Sequence, residues 1–117
     1  MAVEIKVEHK FNIPIIYAKG YIDMNNYVEV HEIILKEIKE GHPNIILNFK
    51  QLNFLDSTTL GMLLRSLDKA KQVGGLLVIV TNPLVDRVLS VTGLTHLFEL
   101  YTSQEAALER LVQARAS

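Results

Sequence analysis

Hydrophobic residues in this chain switch repeatedly between short uncharged runs and stretches with a helical repeat, and that switching most limits the folds open to it. Leu76 to Val80 is uncharged and partly β-branched, as expected of a strand covered on both faces. Asn44 to Phe49 (NIILNF) is a second short apolar strand, bounded by turn residues. Before it, Tyr27, Val28, His31, Ile34, Leu35 and Ile38 recur at three- and four-residue steps, and Gly41 ends the run. Between the two strands a helical stretch begins around Ser57 and stops at Gly74-Gly75. Pro83 then suits the first turn of a short helix over Leu84 to Val91, and Gly93 breaks it. Leu97 to Tyr101 returns as a strand. Thr102 and Glu105 have capping-box spacing before a last helix with Ala107, Leu108, Leu111 and Val112. At the N-terminus Val3, Ile5 and Val7 alternate with Glu4, Lys6 and Glu8, which predicts a strand with one wet face. Ile13 to Tyr21 is also strand-like, with Pro14 near its start, and Lys10 to Asn12 would link the two as a hairpin. The expectation is a single α/β domain over residues 1–117. Its mixed, mostly parallel sheet of about five strands opens with an N-terminal hairpin and carries about four helices.

Composition narrows the function. A net charge of −1 gives no bulk field for nucleic acid or an anionic membrane, and the basic residues are scattered. The absence of cysteine excludes disulfides, thiol catalysis and cysteine zinc sites. MAVEIKVEHK has charges where a signal peptide needs an apolar stretch, and Leu76 to Val80 is too short to span a bilayer. A cytoplasmic protein without membrane insertion is expected. His9, His31, His42 and His96 lack metal-ligand spacing, so no metal or cofactor is expected; His31 is read as a hydrogen-bonded core or edge histidine. The phosphate-binding loops G-x-x-x-x-G-K-[ST] and G-x-G-x-x-G are missing, and no G-x-S-x-G elbow surrounds Ser57. A nucleotide site at the strand ends is open to any such sheet, but nothing demands one. A phosphoaccepting receiver is set aside, because Asp23 and Asp56 are single acids and no lysine follows the final strand.

The informative segment is Leu52 to Gly75. On a helix of 3.6 residues per turn, Leu60, Leu63, Leu64, Leu67 and Lys71 share one side. Thr58, Met62, Arg65 and Lys69 share the other, so Met62 is predicted to face away from the core. It is either a lone exposed methionine or an adaptable contact for a partner. Gly61 reads equally as close packing on the helix's own sheet or as room for another protein's backbone. Asp56-Ser57-Thr58-Thr59 has the composition of an N-cap, which also presents a hydroxyl at the positive end of the helix. A phosphate there would gain about 0.3–2 kcal/mol from the dipole and free amides. It would also bring about two negative charges against a docked partner, and a loss of about 2–3 kcal/mol weakens binding on the order of a hundredfold. The domain would tolerate such a modification better than its complex would.

FLDSTTLGMLL resembles the phosphorylation-site segment of STAS domains, particularly the single-domain anti-sigma factor antagonists of bacteria. GYIDMNN is similar to that family's early G-x-hydrophobic-D element, and NIILNFKQLNFLDS to its third strand and the connection to the site. KQVGGLLVIVTNPLVDRVLSVTGLTHLFELYTSQEAAL follows its C-terminal half. The resemblance implies a protein that binds an anti-sigma factor serine kinase, is released by phosphorylation of Ser57, and is reset by a serine phosphatase, with no catalysis of its own. Asp23 and Asp56 would shape the site; Thr58, Gly61, Met62 and Arg65 would belong to the partner surface. Members usually carry Gly where this chain has Thr59, which makes Thr58 and Thr59 rival acceptors. A second reading is a STAS accessory subunit of a membrane transport complex, using the same surface for constitutive binding.

Overall fold

The computed structural model describes residues 2–116, excluding the side chain of Ala116. Val3–Lys10 (β1) and Ile13–Ile22 (β2) form the expected antiparallel hairpin. Its two-residue turn holds Phe11 and Asn12 at φ 53° and 64°, the left-handed pair that matches the twist of paired strands. Ile45–Asn48 (β3) runs parallel to the first half of β2, and Leu52–Leu55 (β4) parallel to its last residues, Gly20 to Ile22. Leu77–Val80 (β5) and Glu99–Tyr101 (β6) continue the sheet in the order β1-β2-β3-β5-β6. All these pairings except the opening hairpin are parallel.

The described residues therefore hold six strands, one more than the sequence suggested. The extra one is β4, whose LNFL buries only its end residues and so shows neither alternation nor an unbroken apolar run. The helices are Tyr27–Lys39 (α1), Ser57–Gln72 (α2), Pro83–Val91 (α3) and Gln104–Ala116 (α4), with a 3-10 turn over Thr95–Leu97 before β6. Helix α4 is capped by Ser103, whose Oγ accepts from the Ala106 N–H at 3.2 Å. A single one-sided cap at Ser103 thus replaces the capping box expected at Thr102, since Ala106 has no polar side-chain group to bond back.

Two cores sandwich the sheet. On one face Ile16, Ala18, Ile45, Leu47 and Ile79 pack under α1, α2 and α3; on the other Ile13, Ile15, Ile46, Val78 and Val80 pack under α4 through Ala107 and Leu111. Adjacent residues of one strand are thus buried on opposite sides, which is why β3 and β5 read as unbroken apolar runs. Gly75 lets α2 turn into β5: a Cβ there would lie 2.1 Å from the Pro43 carbonyl oxygen.

The buried face of α2 lies to one side of the expected stripe. Thr59, Leu60, Met62, Leu63, Ser66, Leu67 and Ala70 are inside, while Lys71 is exposed. Met62 is fully buried (0% exposed), which corrects the expectation that it faces outward. Two polar residues hid this: Thr59 is sealed by its hydrogen bonds, and Ser66 returns its hydroxyl to the Met62 carbonyl at 2.9 Å. With both counted as surface, the hydrophobic centre of the helix is displaced away from Met62.

Candidate functional site

The carboxyl ends of β2 and β4 lie side by side, and the chain leaves each through a turn that starts a helix. After β2, Asp23 closes the turn: its Oδ1 accepts the Asn25 N–H at 2.9 Å and its carbonyl accepts from Asn26 and Tyr27. Asn26 clamps the turn from the other side, accepting the Asp23 N–H at 2.9 Å and donating to the Tyr21 carbonyl at 2.8 Å. These short polar side chains are needed because such a turn leaves backbone groups without ladder partners.

After β4, Asp56 is the N-cap of α2. Its Oδ1 accepts the Thr59 N–H at 2.9 Å and the Thr59 hydroxyl at 2.8 Å. Its Oδ2 accepts the Met24 N–H from the neighbouring turn at 3.0 Å. Burial pushes the carboxyl pKa up, but these three donors outweigh it and hold the acid below its ordinary value. Asp56 therefore sits ionised and fully occupied, tying both turns together. The cap follows expectation; the cross-link to Met24 does not show in the sequence.

Successive residues at the start of α2 point about 100° apart, so the three hydroxyls have three environments. Ser57, the first helical residue, is exposed, and none of the described hydrogen bonds uses its hydroxyl or its N–H. Thr58 is half-buried. Thr59 is 0% exposed, with its hydroxyl 3.0 Å from the Ile22 carbonyl as well as bonded to Asp56. That corrects Thr59 as a rival acceptor: its oxygen is sealed between β2 and α2, where no enzyme reaches it. The residue adds no bulk beside Ser57.

Farther along α2, Gly61 faces outward. A Cβ there would meet only the Arg65 Nη1, at 3.3 Å, so the helix's own sheet does not require a glycine. Arg65 is exposed, with its guanidinium folded back over Gly61, and its charge adds to burial in pushing the His31 pKa down on α1. His31 is partly buried and has no described hydrogen bond, unlike the bonded histidine expected. The described hydrogen bonds bring no imidazole to Ser57.

Three residues at the site escaped sequence reasoning. Met24 is 70% exposed beside Asp56, so the exposed methionine expected at position 62 belongs to the preceding turn instead. Phe54, on β4, is 42% exposed and lies 6.0 Å from the Tyr21 ring, giving an apolar margin. Asn82 caps α3 through Val85 and donates to the carbonyls of Phe49, Lys50 and Leu52 at 3.1, 3.2 and 2.8 Å. It fixes the β3–β4 connection that delivers Asp56, and the Asn-Pro step was its only signal.

Residues 4–107 match the STAS domain family, which covers both turns and all of α2. The chain belongs to the STAS family. Over 113 residues it is 29% identical to the anti-sigma F factor antagonist of Paenibacillus polymyxa, spanning 95% of this chain and 97% of that one. Its fold matches that of the Bacillus cell fate determinant SpoIIAA in the phosphorylated form, with a TM-score of 0.70, 23% identity, and 93% and 98% of the two chains covered. It also matches a sulfate transporter family protein from Wolinella succinogenes at a TM-score of 0.77 and 16% identity, over 94% and 93% of the chains. At these identities the two structures speak for the STAS fold alone.

Proposed function

We propose that this STAS domain is an anti-sigma factor antagonist in the cytoplasm, switched by phosphorylation of Ser57. Unmodified, it binds an anti-sigma factor that is also a serine kinase. That kinase transfers phosphate to the Ser57 oxygen, the complex dissociates, and a serine phosphatase resets the protein. The chain is then the substrate of phosphoryl transfer and performs no catalysis.

The observation that carries the reading is the separation of structural and free hydroxyls: Thr59 holds the helix start together, while Ser57 is exposed and bonded to nothing described. A phosphate on Ser57 breaks no internal contact and meets two first-turn amides that lack a described partner. It also stands beside ionised Asp56. In the free domain this pair faces water, and at about 5 Å and a dielectric of ~80 each like-charge pair costs about 0.8 kcal/mol, within what the helix amides offset. A partner placing a carboxylate there excludes the water, and at an effective dielectric of ~20 each pair costs about 3 kcal/mol before salt screening, with no helix amides to offset it. The docking surface comprises Asp23, Thr58, Gly61 and Arg65, with Met24 and Phe54 as adaptable and rigid apolar contacts. Met62, being internal, takes no part.

The test is to incubate the protein with its cognate anti-sigma kinase and ATP, map phosphate by mass spectrometry, and measure partner binding of Ser57→Asp. Phosphate on Ser57 and at least tenfold weaker binding by the variant are expected, with stability within about 0.5 kcal/mol of wild type. Normal binding by Ser57→Asp, or phosphate elsewhere, refutes the switch. Co-purification with a transport ATPase, indifferent to Ser57, would instead support a transporter-associated STAS subunit.

A further inference from the structure

At the other end of β2, roughly 25 Å from the Ser57 site, three side chains converge that no spacing rule connects. His9 follows Val3, Ile5 and Val7 on the helix-facing side of β1, Glu37 lies in the last turns of α1, and His42 stands in the link to β3. Glu37 Oε1 is 2.8 Å from His9 Nε2 and 3.1 Å from His42 Nδ1, and the three ligand atoms lie within 4.8 Å of one another. The two rings are 5.2 Å apart.

As a purely internal arrangement this is only partly satisfied: Glu37 and His9 share a 2.8 Å hydrogen bond, and His42 is left out of it. The Glu37 side chain is only 9% exposed, and its described ion-pair partners are two imidazoles rather than a lysine or arginine. The buried His42 Nδ1, though near the carboxylate, makes no hydrogen bond. A buried carboxylate and a buried, unpartnered ring nitrogen both cost stability. One divalent cation among the three atoms answers both deficits.

The geometry points to a zinc-binding site formed by His9, Glu37 and His42. Tetrahedral zinc with bonds of about 2.0–2.2 Å sets its ligands about 3.3 Å apart, so the two spacings to Glu37 open by about 0.2–0.5 Å while the two ring nitrogens, within 4.8 Å of each other, adjust to the same distance. Two nitrogens and one carboxylate oxygen suit zinc and disfavour magnesium or calcium, which select oxygen sets. His9 is 44% exposed, which leaves a route for the ion and a fourth position for water. Bound there, zinc ties the far end of the hairpin to α1 and to the entry of β3, and acts on stability rather than on the Ser57 surface.

The experiment is calorimetric titration of zinc chloride into the untagged full chain, paired with thermal melts. One ion per chain is expected, with a melting temperature raised by on the order of 10 °C at a hundred times Kd and returned by EDTA. His9→Ala, at a half-exposed position, and Glu37→Gln, which keeps the side-chain volume, each weaken binding at least tenfold. His96→Ala, at an exposed residue outside the cluster, leaves it unchanged. Absence of saturable one-to-one binding overturns the site, as does binding that survives both His9→Ala and Glu37→Gln. If Glu37→Gln fails to fold by circular dichroism, His9→Ala together with His42→Ala decides.

Discussion

Gly61→Ala separates the demands of the fold from those of the docking surface. Glycine inside a helix costs about 0.8–1 kcal/mol relative to alanine, because it surrenders more backbone freedom on folding. Gly61 is the fifth residue of α2, outside the left-handed region, with nothing but the tip of Arg65 within 4 Å of an added Cβ. That contact, at 3.3 Å, is tight, but Arg65 is an exposed, flexible side chain that can swing away for a small fraction of the gain. The substitution is therefore expected to stabilise the domain by about 0.5–1 kcal/mol, a melting-temperature rise of roughly 2–6 °C for a chain of this length. Urea denaturation at unchanged m-value measures it directly. On the proposed surface the same methyl group occupies space a partner's backbone would use, so affinity for the anti-sigma factor falls at least tenfold while stability rises. Destabilisation by more than about 0.5 kcal/mol would refute the claim that the fold leaves this position open. Greater stability with undiminished binding would remove Gly61 from the interface.

Asn82→Ala should cost about 2–3 kcal/mol in urea denaturation, combining a lost N-cap with carbonyls of the β3–β4 link left short of a donor. Gly75→Ala should destabilise by more than about 2 kcal/mol, because its methyl group overlaps a backbone carbonyl that cannot rotate away. Thr59→Val should cost about 1–3 kcal/mol by depriving Asp56 and the Ile22 carbonyl of their shared donor, read from the same unfolding curves. The Asp56 carboxyl, held below its ordinary value in the folded state, adds stability that is present above the unfolded pKa of about 3.8 and is lost as pH falls through the lower folded value. The stability gap between wild type and Asp56→Asn should accordingly be constant above about pH 5 and shrink in acid.

Most of the fold was legible because burial on both faces of the sheet writes itself as uncharged runs, and burial on one face of a helix as a repeat of three and four. What was not legible has different causes in different places, each set by packing that a linear pattern does not display. Ser66 and Thr59 are polar letters on a buried face, and they turned the reading of α2 away from Met62. Strand β4 was hidden because only its end residues are buried. His9, Glu37 and His42 meet only because the hairpin brings the end of β1 beside the end of α1, so no linear spacing could announce them.

Thr59 shows how one residue can be misread from sequence and still strengthen the reading of its neighbour. Beside a serine in a line of text, it looks like competition. On a helix, two residues on from Ser57, it is rotated by about 200° toward the sheet. There its hydroxyl donates between the Ile22 carbonyl and the Asp56 carboxylate, performing a tethering task that glycine could not. The first turn of α2 is consequently anchored to β2 through Thr59 and to the preceding turn through Asp56 and Met24. An anchored helix start fixes the backbone from which Ser57 projects, so its free hydroxyl stays on the outer surface while Thr59 and Asp56 carry the structural load.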